Sequence, residues 1–426
     1  MGNKHTLNTQ HSSPPKMNNQ TQSLRPKALN DAETIKQTIL RYCIYEGNHM
    51  IPSLAEALGY SVPTITKYIG ELMADGYFIE YGKVASQRGR KPIVYGVNPS
   101  SCYFVGVDIG RFALNIGIMN LVGEIIHEKT IDTYRFENSP ASLDEVCEHV
   151  RNVISGVDID TSKIANINGN ISGRVTAETG YSYSVFNFEE NDEPLAQILS
   201  DKIGYPVQIE NDTRAMTYGE LASGNARRYK NALFVNASWG LGLGIIIGGE
   251  LYYGKHGYSG EFGHINVYQN EIMCHCGKKG CLETEVSGSA IYRKLCERIR
   301  NGQSSVLSEL VNHGQAITVS DIVNAANLQE DTLCIELIEQ TGSELGRLMA
   351  NMINIFNPEA VIIGGTLAMA GESFLSPIKS SIRKYSLKLM SRDIDIMLSA
   401  MPLSSGMIGA CMAARQRLFP YQHRGN

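Results

Sequence analysis

Three cysteines and two histidines crowd one stretch of the chain, "GHINVYQNEIMCHCGKKGCLE" (263–283), and His264, Cys274, Cys276 and Cys281 are its candidate ligand set. Three sulfurs and one imidazole nitrogen are the ligand count of a closed tetrahedral zinc, Zn2+, and a metal with every position filled by protein is structural. Gly277 and Gly280 permit the tight reversal that such a set requires. A redox pair is the competing chemistry. The Cys-x-Cys spacing, the third cysteine five residues on and the flanking histidine favour the metal. A second candidate group, Glu210-Asn211-Asp212, ends a strand-like run and leads into a helix. The carboxyl end of a strand is where α/β folds place binding groups.

A different chemistry stands near the front. Arg88-Gly89-Arg90-Lys91-Pro92 resembles the core of an AT-hook, whose extended Arg-Gly-Arg backbone enters a narrow, electronegative minor groove. Ahead of it, "DAETIKQTILRYCIYEG" reads as a helix with Ile35, Ile39, Leu40, Cys43 and Ile44 inward. A short helix opens at Ser53, Gly59 supplies a tight turn, and Ser61 caps a third helix. Its inner face is expected at Val62, Ile65, Ile69 and Leu72, leaving Thr64, Thr66, Lys67 and Tyr68 outward for a major groove. Two strand-like runs, "YFIEYGKVA" and "PIVYGVN", flank the Arg-Gly-Arg loop and complete a winged helix-turn-helix pattern.

Charge supports the division. Residues 1–100 carry 11 Lys+Arg against 7 Asp+Glu, whereas the remainder carries 27 against 36. A basic front on an acidic body suits a nucleic-acid-binding module joined to another domain. The opening residues are polar and form neither a signal peptide nor a packed unit, and no apolar run reaches membrane-spanning length. A cytoplasmic protein with reduced thiols is expected, with no membrane partner and with the other six cysteines as small buried hydrophobes. The divisions expected are 1–30 as a disordered tail, 31–98 as the winged helix-turn-helix and 99–426 as the body.

In the body, strand–turn–strand patterns recur at 103–131 and 231–254, which suggests two related lobes around a cleft. "VDIG" (107–110), "ENDTRA" (210–215), "GLGLG" (240–244), "GEFGH" (260–264), "CHCGKKGCLE" (274–283) and "NPEAVIIGG" (357–365) together resemble the ROK family of sugar kinases and sugar-responsive repressors. The resemblance implies an α/β, two-lobed, actin-like (ribonuclease-H-like) body behind an α+β winged domain. It also implies a sugar site of Asn211, Asp212, Glu261, His264 and Glu283, with one ring nitrogen of His264 on the metal and the other toward the sugar. Specificity is expected from 172–192, where Asn187 is a candidate contact.

In the family's kinases the residue matching Asp212 is the general base, and glycine-rich turns hold the phosphates. Here Arg111 and Phe112 stand in the first turn, and Trp239 and Leu243 in the second. Phosphoryl transfer rests on positioning and charge stabilisation, so bulk in both cradles argues against an enzyme. The expectation is a repressor, a homodimer or homotetramer, released from operator DNA by a sugar or sugar phosphate. An ATP-dependent sugar kinase with an added DNA-binding domain is the alternative.

Overall fold

Ile39, Leu40, Cys43 and Ile44 recur at helical spacing and are buried on α1 (Asp31–Glu46), which stops where Gly47 takes φ +84°. The computed structural model describes residues 31–83, 93–186 and 193–420. After the two-residue strand β1 (His49–Met50) comes α2 (Ile51–Leu58), two residues earlier than Ser53 because Pro52 is tolerated in a first turn. Gly59 turns the chain at φ +74°, and the Ser61 hydroxyl accepts from the Thr64 amide (3.3 Å) to cap α3 (Val62–Ala74). β2 (Phe78–Lys83) and β3 (Ile93–Val97) follow, in an antiparallel sheet of order β1-β3-β2.

The inner face of α3 differs from the expected one. Val62 is 46% exposed, while Tyr68 is buried with Ile65, Ile69 and Leu72. Positions 65, 68, 69 and 72 form the continuous stripe of a packed helix, and Val62 stands one turn ahead of it at the helix start. Arg88, Gly89, Arg90, Lys91, residues 1–30 and Asn187 lie outside the described residues.

The first lobe runs β4 (Tyr103–Ile109), β5 (Leu114–Asn120), β6 (Ile125–Ile131), α4 (Pro140–Ser155) and β7 (Ile164–Ile171). A small hairpin of β8 (Val175–Thr176) and β9 (Tyr181–Ser182), then α5 (Leu195–Ile203) and β10 (Val207–Asn211), complete it. Helix α6 (Asp212–Ser223) leads to β11 (Ala232–Ala237), β12 (Leu241–Ile247) and β13 (Glu250–Leu251). Helices α7 (Gly288–Arg300), α8 (Ser308–Asn312), α9 (Val319–Gln329) and α10 (Thr332–Phe356) precede β14 (Ala360–Gly364). Then come α11 (Glu372–Tyr385), α12 (Lys388–Ser391), β15 (Asp395–Leu398) and α13 (Ser405–Leu418).

The two five-stranded sheets share one topology. Their orders are β6-β5-β4-β7-β10 and β13-β12-β11-β14-β15, each an antiparallel meander followed by two parallel strands. This repeated plan makes the body two-lobed and actin-like. α6 and α13 cross with their backbones nearly touching: a Cβ on Gly409 would stand 1.8 Å from the Ala215 carbonyl oxygen. Only glycine fits there, so the crossing is fixed by sequence.

α13 also reaches the front of the molecule. Ala414 is buried in the same apolar cluster as α1 and α3, Phe419 packs edge-on against Phe104, and the Tyr45 hydroxyl donates to the Phe419 carbonyl (2.7 Å). The guanidinium of Arg415 lies over the Tyr45 ring at 5.3 Å. Cys43, Cys102, Cys147, Cys296, Cys334 and Cys411 are all buried, as expected of small core residues. Among the described residues no helix is long and apolar enough to cross a membrane.

Candidate functional site

The cysteine loop follows β13 and folds on itself through two isolated bridges, Asn266 with Cys281 and Met273 with Lys279. Gly280, at φ +75°, brings the backbone against the Tyr268 carbonyl, where a Cβ would stand at 2.2 Å. His264 Nδ1 then lies 3.5 Å from Cys274 Sγ, and the sulfurs of Cys276 and Cys281 are 3.5 Å apart. All four donor atoms fall within 4.8 Å of one another. A tetrahedron with metal–sulfur bonds of about 2.3 Å has edges near ~3.8 Å, so the set has the size to hold a metal ion.

The other ring nitrogen of His264 points away from the sulfurs, with Nε2 3.8 Å from Glu261 Oε2. Glu283 follows the last cysteine and accepts from the Leu241 amide at the start of β12 (3.0 Å). Gly240 and Gly263 make room for it, since a Cβ on Gly240 would stand 2.9 Å from its carboxylate. Glu261, His264 and Glu283 therefore stand on one loop braced on β12.

Asn211 and Asp212 form the junction of β10 and α6. The Asn211 side-chain oxygen accepts from the Arg214 amide (3.1 Å), and its NH2 donates to the Gly173 carbonyl and to Asp212 (3.0 Å each). Its amide is thus engaged as a helix cap, and it orients Asp212. Asp212 also accepts from its neighbour's amide, Thr213 (2.7 Å), and from the Ser172 hydroxyl (2.7 Å). The buried Arg214–Glu210 pair (2.8 Å) fixes the junction from behind. Thr213 packs on Gly242 of β12, where a Cβ would stand 2.2 Å from its hydroxyl, so α6 and the Glu283-bearing loop meet at one strand.

Asp108, at the end of β4, was not assigned a role from sequence. Burial first, and the Asp212 carboxylate second, push its carboxyl up to about 6. Asn170 donates to it (3.3 Å) and also to the Gly406 carbonyl in the first turn of α13 (2.7 Å). The Asp212 carboxyl is raised too, by burial, against the opposing bonds from Ser172 and Thr213. Ser172 was legible only as a member of the 172–192 segment. Thr176 belongs to the same segment, and its hydroxyl meets that of Tyr258, which carried no sequence signal, at 2.8 Å across the lobes.

The phosphate-turn positions are occupied by side chains. The Arg111 guanidinium lies 4.8 Å from the centroid of the Trp239 ring, Phe112 meets Trp239 edge-on at 5.3 Å, and Tyr292 backs the indole at 5.7 Å. Ser238 bonds to Asn236 (2.7 Å) and accepts from the Thr366 amide (3.2 Å). Leu243 departs from the expectation that it fills the cradle. β12 alternates its side chains, and Leu243 faces the apolar core of the second lobe.

The ROK family profile matches residues 104–417, from β4 to the end of α13. The chain belongs to the ROK family. Over 322 residues it is 29% identical to a putative xylose repressor of Caldicellulosiruptor sp. (strain Rt8B.4), covering 75% of this chain and 80% of that one. It is 27% identical over 359 residues to the xylose repressor of Bacillus subtilis (84% and 88%), and 29% over 319 to a glucokinase of Halalkalibacterium halodurans (75% and 96%). Its fold matches a crystal structure of a ROK family transcriptional regulator, homolog of E. coli MLC protein. That match has a TM-score of 0.72 and 28% identity, and covers 90% of this chain and 97% of that one. A ROK family glucokinase from Streptomyces griseus, in complex with glucose and AMPPNP, matches at 0.62 and 26%, covering 74% and 99%. The regulator's wider coverage exceeds what the ROK body alone can supply, so it extends into the winged unit.

On that unit, Thr66 and Lys67 of α3 are exposed and Thr64 is half-buried. Thr66 donates to the Val62 carbonyl (2.8 Å), and Thr64 shares its hydroxyl with Ser61 (2.7 Å). Lys67 extends over the Tyr68 ring at 5.1 Å. Tyr68 therefore supports Lys67 from within the core, and does not stand outward as the sequence suggested.

Proposed function

We propose that this ROK chain is a sugar-responsive transcriptional repressor of carbohydrate-utilisation genes. It binds operator DNA as a homodimer or homotetramer and is released by a sugar or sugar phosphate in the cleft. The observation that carries this reading is α13. Its first turn bonds to Asn170 beside Asp108, and its last turn and the residue after it pack on Tyr45 of α1. A packed helix moves as a unit, so a change at the cleft reaches the helices that would dock on DNA.

Asp212, Glu261, His264 and Glu283 supply acceptors and a donor for sugar hydroxyls, with Asn211 holding Asp212 in place. The Cys274, Cys276, Cys281 and His264 set suits zinc by its donor chemistry. Bound there, the ion would cross-link the loop and supply no catalytic water, because all four positions belong to the protein. The loop then presents His264 Nε2 to the cleft in a fixed direction. Thr64, Thr66 and Lys67 are the groove-facing candidates on α3, with Arg88, Gly89, Arg90 and Lys91 as a minor-groove arm. A DNA target and reduced thiols fit a cytoplasmic protein.

The alternative is an ATP-dependent sugar kinase, and the retained Asp212 favours it. Against it, Arg111 and Trp239 close on one another where a triphosphate needs bare backbone. The deciding experiment recovers operator fragments with purified protein, then titrates D-xylose, D-glucose and their phosphates into the complex while following ATP consumption. Release by one compound with no ATP turnover is the expected result. Sugar-dependent ATP hydrolysis would establish the kinase, and binding indifferent to every sugar would leave the cleft without an inducer role.

A further inference from the structure

Far from the cleft, α11, α12 and the start of β15 enclose a groove of about 790 Å³. Five cations line it: Lys379, Arg383, Lys384, Lys388 and Arg392. Among the described residues only Arg392 has an ion-pair partner, its exposed neighbour Asp393 at 3.1 Å. Arg383 and Lys384 occupy the last turn of α11, where the helix dipole welcomes positive charge. That accounts for two of the five. Crowding the other three beside them in an acidic body works against stability unless something anionic arrives.

The rim is apolar and open to solvent. Tyr385, Leu387 and Leu389 are 47%, 59% and 77% exposed, side by side with these cations. β15 is the last strand of its sheet, and its outer side is met at Leu398, whose carbonyl accepts from the Asn225 side chain (3.0 Å). A small phosphorylated metabolite has no use for exposed leucines, and a DNA backbone little more. Cations interleaved with exposed apolar side chains are what an acidic, partly apolar polypeptide segment requires.

We infer that the α11–α12–β15 groove is a docking surface for an acidic amphipathic segment of a partner protein. β15 runs parallel to β14, whose far end carries Gly364 toward the Ser238 turn, so the groove sits at the end of the sheet away from the sugar site. A partner there leaves the cleft and the winged unit free. The repressor can hold DNA and partner together.

The test uses the full chain and a short fluorescein-labelled peptide of glutamates alternating with leucine and phenylalanine, followed by anisotropy. Lys379→Glu/Arg383→Glu/Lys388→Glu is expected to weaken binding about tenfold, as three exposed charge pairs reverse. Leu387→Ser/Leu389→Ser should weaken it separately, and raised salt should weaken the wild-type complex. Both variants should keep wild-type operator binding and sugar release, which shows that they fold and separates this surface from the cleft. The inference is overturned if the peptide does not bind or if neither variant alters its binding. It is equally overturned if polyglutamate, pyrophosphate or a non-operator duplex competes as well as the peptide does. A change of sedimenting mass in the charge-reversed protein would assign the face to contact between copies of this chain instead.

Discussion

The Arg111 guanidinium lies over the Trp239 indole, 4.8 Å from the ring centroid, and joins a turn of the first lobe to a turn of the second. A contact of this kind contributes about 1 kcal/mol at a partly exposed site. It ties the lobes together at the turns that follow β4 and β11. Trp239 is the single tryptophan of the chain, and its emission reports on this turn, where Arg111, Phe112 and Tyr292 surround the indole. An inducing sugar is expected to shift that emission, and Arg111→Ala to shift it without sugar. Emission that stays constant through full operator release would show that the contact takes no part in the switch.

The loop of His264, Cys274, Cys276 and Cys281 should carry one zinc per chain. Cys276→Ser is expected to lose the ion and, with it, sugar response, because His264 and Glu283 would no longer be held against the cleft. Elemental analysis and sugar titration of the same preparation check both parts. Protein purified without chelator that responds to sugar yet contains no zinc would refute the assignment.

Asp108 gives the body a pH signature. Its folded carboxyl titrates at about 6, raised by burial and then by Asp212, against an ordinary value of 3.8. Between about pH 4 and pH 6 the folded chain keeps a proton that the unfolded chain has released, so this group's contribution to stability falls as pH rises through that window. Asp212 is raised as well and acts in the same direction. Asp108→Asn should remove much of the fall and melt above wild type at pH 7, with the two proteins alike below about pH 4. Melting curves that stay parallel from pH 4 to 7 would mean that the carboxyl is not buried as described.

Much of this was legible from the chain alone. The His264–Cys281 spacing led directly to the donor cluster, because a metal set is local and its geometry is written in sequence separation. Both strand–turn–strand units and the Gly59 and Ser61 signals survived for the same reason. What failed depended on packing across distance. Tyr68 went inward because its neighbours at 65, 69 and 72 already formed a core stripe, and an aromatic ring completes that stripe better than Val62 at the helix tip. Leu243 went to the core because strand pleating, not motif position, decides where a side chain points. Thr176 and Tyr258 meet only when the lobes fold together, and Asn170 finds its partners only when β4, β7 and α13 pack, and no local pattern announces either.

On the winged unit, Lys67 and Thr66 are exposed on α3 while Tyr68 is buried. Lys67→Ala should weaken operator binding and lower its salt dependence, and Thr66→Ala should change the preferred sequence or its affinity. Arg88→Ala/Arg90→Ala should weaken binding to all sequences. Tyr68→Ala should instead lower the melting temperature, since it removes a core ring. Fluorescence anisotropy across a salt series, beside thermal melts, separates the two classes. A Tyr68→Ala protein of wild-type stability with altered sequence preference would restore the outward placement.

The coupling between cleft and DNA should be separable by mutation at its two ends. At one end, Asp212→Asn or Glu261→Ala removes an acceptor for sugar hydroxyls while leaving α13 and the winged unit untouched. Such variants should bind operator normally and fail to release it, a repressor held on its DNA. At the other end, Arg415 stacks on Tyr45 and donates to the Leu121 carbonyl (3.3 Å), so Arg415→Ala loosens α13 from α1 without touching the cleft. That variant should still bind sugar, seen as the Trp239 emission shift, yet release operator weakly. A tenfold change in operator affinity needs only about 1.4 kcal/mol of difference between the two states, within reach of a few hydroxyl bonds. The measurement is a sugar titration of each operator complex with emission recorded in parallel. Release and emission that remain locked together in the Arg415→Ala protein would mean that the signal travels by a route other than α13.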